Sequence, residues 1–149
     1  MTAAEFFELI DFAIEQEQEA VEFYTELAAK ARATHIRAVL EEFAQQERGH
    51  KAKLVAVRAR GSVQASQSPV VDLKIADYLT DPRPDSNLDY RTALVIAMQK
   101  EKAAYRLYQD LARQCDDPEL KEVFGFLAQE EAGHKLMFET EYDDLSSEN

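Results

Sequence analysis

Four stretches of the chain carry core-type residues at alternating spacings of three and four, which places one stripe of a helix against neighbours in a bundle. The first stripe is Ile10, Ala13, Glu17, Ala20, Tyr24, Leu27 and Ala31, and the second is Ile36, Leu40, Phe43, Glu47, His50, Leu54 and Val57. The third runs Leu94, Ala97, Glu101, Ala104, Tyr108, Leu111 and Cys115, and the fourth runs Leu120, Phe124, Leu127, Glu131, His134 and Phe138. Thr34 is the expected N-cap of the second helix, and Pro118 suits the first turn of the fourth. Short turns near Arg32 and Asp116 make each successive pair of helices an antiparallel hairpin.

The two hairpins are copies of one pattern. A shift of 84 residues lays Ala13 on Ala97, Glu17 on Glu101, Ala20 on Ala104, Tyr24 on Tyr108 and Leu27 on Leu111. Without a gap, the same shift lays Glu47 on Glu131, Gly49 on Gly133, His50 on His134 and Lys51 on Lys135. Two halves with one internal spacing imply an approximate two-fold relation between hairpins. Between them, residues 61–87 hold three of the chain's four prolines and a short apolar piece, DLKIADYL. A connection this long has a task in a compact domain, and returning the chain along the bundle is one. The expectation is a single all-α domain over 1–149, an antiparallel four-helix bundle. Hairpins 3–60 and 88–145 are joined by the crossover 61–87, with a small helix over Asp72–Leu79, and the second and third helices run parallel.

Six residues interrupt the apolar stripes. Glutamates on helices are usually solvated, and this chain has 29 acidic residues. Glu17, Glu47, Glu101 and Glu131 differ because apolar residues or tyrosine flank them one heptad away on the same stripe. Glu17 precedes the first turn by about as many residues as Glu47 and His50 follow it. At about 1.5 Å rise per residue these groups share one height, and Glu101, Glu131 and His134 repeat the arrangement. Burying unpaired carboxylates costs several kcal/mol each, roughly, and the stripes offer no Lys or Arg to compensate. Protonation or a metal must do so. Glu47/His50 and Glu131/His134 are each Glu-x-x-His, a spacing that puts both side chains on one helical face. His35 has no such partner and reads as an exposed polar residue. One Glu from each of two helices and Glu-x-x-His from each of the other two form the ligand set of carboxylate-bridged di-metal bundles. Four carboxylates balance two divalent ions. Mixed oxygen and nitrogen ligands favour iron or manganese over zinc, although zinc accepts the same donors. Tyr24 and Tyr108 follow Glu17 and Glu101 by seven residues, and either pack in the core or hydrogen-bond a ligand carboxylate.

The formal charge of −12 argues against nucleic-acid or anionic-membrane binding, which need clustered Lys and Arg. No apolar run approaches the roughly 18 to 20 residues of a membrane span, and no basic residue precedes Lys30, so a cytoplasmic location is expected. Cys115 is the only cysteine, which excludes an internal disulfide and a multi-thiolate metal site.

The segments EQEAVEFYTELA, FAQQERGHKAKL, EKAAYRLYQDLA and LAQEEAGHKLMF resemble the ferritin-like di-iron domain of the rubrerythrins over nearly the whole chain. The resemblance implies that Glu47 and Glu131 bridge two irons, that Glu17 and Glu101 are terminal ligands, and that His50 and His134 each cap one iron. It also implies reduction of hydrogen peroxide or oxidation of ferrous iron, with peroxide or oxygen as oxidant, and a homodimer. Rubrerythrins proper have a further carboxylate where this chain has Ala104, so the ligand exchange attributed to that residue does not transfer. One cysteine cannot build a rubredoxin centre, so electrons would come from a separate donor such as a rubredoxin or a flavoprotein reductase. The alternative is iron binding and sequestration without peroxidase turnover. A substrate hydroxylase on the same bundle is a third reading, for which no organic-substrate pocket is legible.

Overall fold

Thr2 starts the first helix with a reciprocal cap: its hydroxyl accepts from the Glu5 amide at 3.1 Å, and the Glu5 carboxylate accepts from the Thr2 amide at 3.2 Å. In the computed structural model, which describes residues 1–60, 75–80 and 89–147, this helix is α1, Ala3–Lys30. α2 spans Thr34–Ala59, α3 Tyr90–Arg113 and α4 Pro118–Ser147. Asp89 caps α3 by accepting from the Thr92 amide at 2.7 Å. α4 begins on Pro118 as expected, where a missing N–H costs nothing.

Two local expectations shift. Thr34 is the first residue of α2 rather than its cap, because the turn's last extended residue is Ala33 (φ −81°, ψ 129°). A capping side chain must sit on that extended residue, and alanine has no oxygen to offer. His35 therefore lies in the first turn of α2, and it is exposed. The helix expected over Asp72–Leu79 is, within the described residues, a single 3-10 turn, Ile75–Tyr78; residues 72–74 and most of the crossover lie outside them. Ile75 and Leu79 are exposed, and only Tyr78 is buried. The Tyr78 hydroxyl donates to Asp110 at 2.7 Å, and Lys100 donates to the Thr80 hydroxyl at 3.3 Å, fastening this part of the crossover to α3.

The bundle core falls into two apolar clusters. One joins the start of α1 (Phe6, Ile10), the end of α2 (Leu54, Val57), the end of α3 (Leu107, Leu111) with Cys115 of the following turn, and the start of α4 (Leu120, Phe124). The other joins the end of α1 (Tyr24, Leu27), the start of α2 (Leu40, Ala44), the start of α3 (Leu94, Ala97) and Phe138 near the end of α4. Helix ends that share a cluster fix the directions: α1 opposes α2, α3 opposes α4, and α2 and α3 run parallel. The chain is thus an antiparallel four-helix bundle with a long crossover. α1 buries more than its predicted stripe, adding Phe7, Leu9, Phe12, Val21 and Phe23. Among the described residues, no helix is long and apolar enough to cross a membrane.

Candidate metal centre

Between the two apolar clusters, each helix contributes polar residues to one layer. α1 supplies Glu17, α2 Glu47 and His50, α3 Glu101, and α4 Glu131 and His134, and all six are buried. Burial follows from the stripe periodicity: each occupies a position that faces the bundle axis one heptad from a packed neighbour. Their ligand atoms converge on two points. Glu17, Glu47, His50 and Glu131 form one group, and Glu47, Glu101, Glu131 and His134 form the other, each with donor atoms within 4.8 Å of one another. Glu47 and Glu131 belong to both.

In each group the imidazole Nδ1 faces the carboxylates. His50 Nδ1 stands 3.1 Å from Glu131, 3.5 Å from Glu47 and 3.6 Å from Glu17. His134 Nδ1 stands 3.0 Å from Glu47, 3.5 Å from Glu101 and 3.6 Å from Glu131. Despite these approaches, both Nδ1 atoms lack a hydrogen bond of acceptable geometry, as do Glu17 Oε2, both Glu47 oxygens, Glu101 Oε2 and Glu131 Oε1. Buried polar atoms are nearly always partnered, so a convergent set of unpartnered donors fits a cation. A cation at each focus would satisfy it. Oxygen and imidazole donors, four carboxylates to two imidazoles, suit divalent iron or manganese.

The outward-facing atoms are already engaged. The Tyr24 hydroxyl of α1 donates to Glu101 of α3, and the Tyr108 hydroxyl of α3 donates to Glu17 of α1. Of the two roles open to these tyrosines, the structure therefore shows both at once, because each ring is also packed in an apolar cluster. The Nε2 atoms point away from the centre: that of His50 lies 3.1 Å from Glu130 Oε1, and that of His134 lies 2.6 Å from Gln46 Oε1. Gln46 and Glu130 were not legible as site residues. Their one signal was position, immediately before a stripe glutamate in each half and matched to each other by the 84-residue shift.

Without ions, protons hold the layer together. Burial, reinforced by neighbouring carboxylates, raises Glu47 and Glu131 well above the usual carboxylate range. Burial works to lower both histidines, but the surrounding glutamates outweigh it and raise them. Burial also works to raise Glu17, yet the proximity of Glu47 and His50 and the hydroxyl of Tyr108 bring it below its ordinary value. Tyr24 and Tyr108 are pushed far up by burial and by the adjacent carboxylates, so both phenols keep their protons and act as donors.

A cavity of about 40 Å³ lies against the centre between α1 and α3, bordered by Ala20, Ala104, Leu107, Tyr108 and the crossover's Tyr78. It has room for a molecule of the size of water or peroxide.

A family model described as Rubrerythrin matches residues 8–142. No curated protein gives a significant match. Among solved structures, a hypothetical protein from Pyrococcus furiosus is similar at a TM-score of 0.78 and 25% identity, over 95% of this chain and 90% of that one.

Proposed function

We propose a function from one premise: the chain belongs to the rubrerythrin family. The centre is a non-haem di-iron site that reduces hydrogen peroxide, or couples peroxide or oxygen to the oxidation of ferrous iron. One observation carries this reading, the convergence of unpartnered buried oxygen and nitrogen atoms into two groups that share Glu47 and Glu131. Two ferrous ions held there would supply one electron each, which with two protons converts one hydrogen peroxide into two waters.

The residues have separable tasks. Glu47 and Glu131, which belong to both groups, would be shared between the ions, while Glu17 and His50 would hold one and Glu101 and His134 the other. Tyr24 and Tyr108 hold Glu101 and Glu17 in place from the opposite hairpin. Both phenols orient carboxylates by donating to them. The two protons come from solvent. The cavity beside the centre has room for a peroxide. Ala104 borders this cavity, so the layer works with four carboxylates and no fifth from that position. Electrons would come from a rubredoxin-like or flavin-containing donor.

Anaerobic diferrous protein mixed with stoichiometric peroxide should oxidise much faster than the same protein mixed with oxygen. A peroxide rate no greater than that of the ligand-deficient Glu47→Ala variant would sink the proposal. Retention of more than two irons per chain, with slow peroxide turnover, would instead favour sequestration.

A further inference from the structure

The two halves of the centre agree in every inward-facing residue and differ in what stands behind the histidines. His50 of α2 is backed by a residue of α4, Glu130, and His134 of α4 by a residue of α2, Gln46. Gln46 and Glu130 occupy the same position in the duplicated pattern. The difference is one formal charge, delivered through a hydrogen bond to a ligand imidazole. In both histidines Nε2 faces an outward acceptor, which leaves Nδ1, on the side of the carboxylates, as the atom that would ligate an ion. A carboxylate acceptor polarises the ring more than a neutral amide does, raising ligand basicity and metal affinity.

A second difference lies on the ring faces. Phe43 stacks on His134 with centroids 3.9 Å apart and planes at 26°, and the matching position in the other half is Leu127. His50 meets the edge of Phe126 at 6.4 Å and lies near-parallel to His134 at 6.2 Å, with no ring stacked as closely as Phe43. The stack holds the His134 ring in place before an ion arrives, a pre-ordering that favours the His134 side by less than a charged hydrogen-bond partner favours the His50 side. The charge at Glu130 acts on the bound state directly and decides the order.

We propose that Glu130 is a positioning residue that makes the His50 focus the tighter of the two, so that the centre fills in a fixed order, His50 side first. The proposal rests on the reading of the layer as a two-metal centre. Gln46 gives the His134 side a fixed tautomer without added charge, leaving it the weaker and more exchangeable position.

The test is an anaerobic titration of the full chain with cobalt(II), followed by absorption and by the hyperfine-shifted imidazole N–H resonances. The unsubstituted chain should bind two equivalents in steps at least about tenfold apart in Kd, the range expected for a ligand's hydrogen-bond partner. The resonance of the first step should vanish in His50→Ala and persist in His134→Ala. Glu130→Gln should weaken the first step about tenfold and merge the two. The side chain of Glu130 is 30% exposed, so this change leaves no buried group stranded. The double exchange Glu130→Gln with Gln46→Glu should reverse the order and transfer the first resonance to His134. Equal steps in the unsubstituted chain, a first step that depends on His134, or a first step unmoved by Glu130→Gln would each overturn the fixed order while leaving a two-metal centre intact. Failure to bind cobalt at all would overturn the two-metal reading itself, and this proposal with it.

Discussion

The apolar ends of the bundle and the polar layer between them are built on the same four stripes, yet they meet opposite conditions. At the ends, Leu40, Leu94, Leu111 and Phe124 are fully enclosed by apolar neighbours, and Phe6 meets Phe124 edge to face at 6.0 Å. In the middle, seven buried side-chain atoms of Glu17, Glu47, His50, Glu101, Glu131 and His134 lack a hydrogen bond. Stability and chemistry are therefore assigned to different heights of one structure. The ends hold the helices in register, and that register forces together groups that would otherwise separate.

The largest effect should come from breaking an end. Phe124→Ala should cost about 3 to 5 kcal/mol by chemical denaturation, similarly with and without metal, because the cavity lies outside the polar layer. A cost confined to the metal-loaded protein would contradict the separation of the two regions.

Loading the middle should come next. Binding stabilises by about 2.7 kcal/mol per ion at a free concentration one hundred times Kd, and chelation should remove it. The sign of the pH dependence should differ between the two states. In the apo-protein, Glu47, Glu131, His50 and His134 all have raised folded-state pKa values. Such groups hold protons more tightly folded than unfolded, so their contribution is full below the unfolded values and is lost as pH rises through the folded ones. Glu17, shifted down, works the other way and is outnumbered. Apo stability should thus decline upward from about pH 4.5, the carboxylate reference, whereas metal-loaded stability should rise over the same range because ions displace those protons. Parallel melting curves for the two forms across pH would refute the proton-held layer.

A smaller effect is expected at the border between the regions. Tyr108→Phe keeps the packed ring but removes the donor to Glu17, and should cost about 1 to 3 kcal/mol in the apo-protein. Tyr24→Phe should match it through Glu101, and a large inequality between the pair would break the two-fold likeness. The smallest change should be on the surface. Arg58→Ala removes a 2.9 Å contact with Asp11 between half-exposed side chains, and should shift stability by less than about 1 kcal/mol. A larger loss would point to the Arg58 stem and its packing over Phe7 rather than to charge.

Much of this was legible because the stripes obey a rule that sequence displays directly. Every residue of the fourth stripe, from Leu120 to Phe138, is buried, and the six polar interruptions lie at one height because the helices are straight and the turns short. Other features depend on neighbours that periodicity does not encode. Phe7, Phe12 and Phe23 are buried because α1 meets more than one partner, which a single stripe cannot announce. Thr34 fails as a cap because the turn ends one residue earlier. The crossover's 3-10 turn docks through Tyr78, whose partner Asp110 is 32 residues away. Gln46 and Glu130 escaped notice because a glutamine or glutamate beside a stripe is ordinarily solvated, and only the opposing hairpin gives each its histidine.

That exchange of partners has an evolutionary meaning. Tyr24, Tyr108, Gln46 and Glu130 each serve a side chain of the other half, so a half-length ancestor with this layout was complete only when two copies met. Joining the copies replaced a concentration-dependent encounter with a permanent one, at an effective concentration on the order of millimolar. It also released the halves from being identical. Two copies of one gene product must carry the same residue behind both histidines, whereas a fused chain is free to carry glutamine at 46 and glutamate at 130.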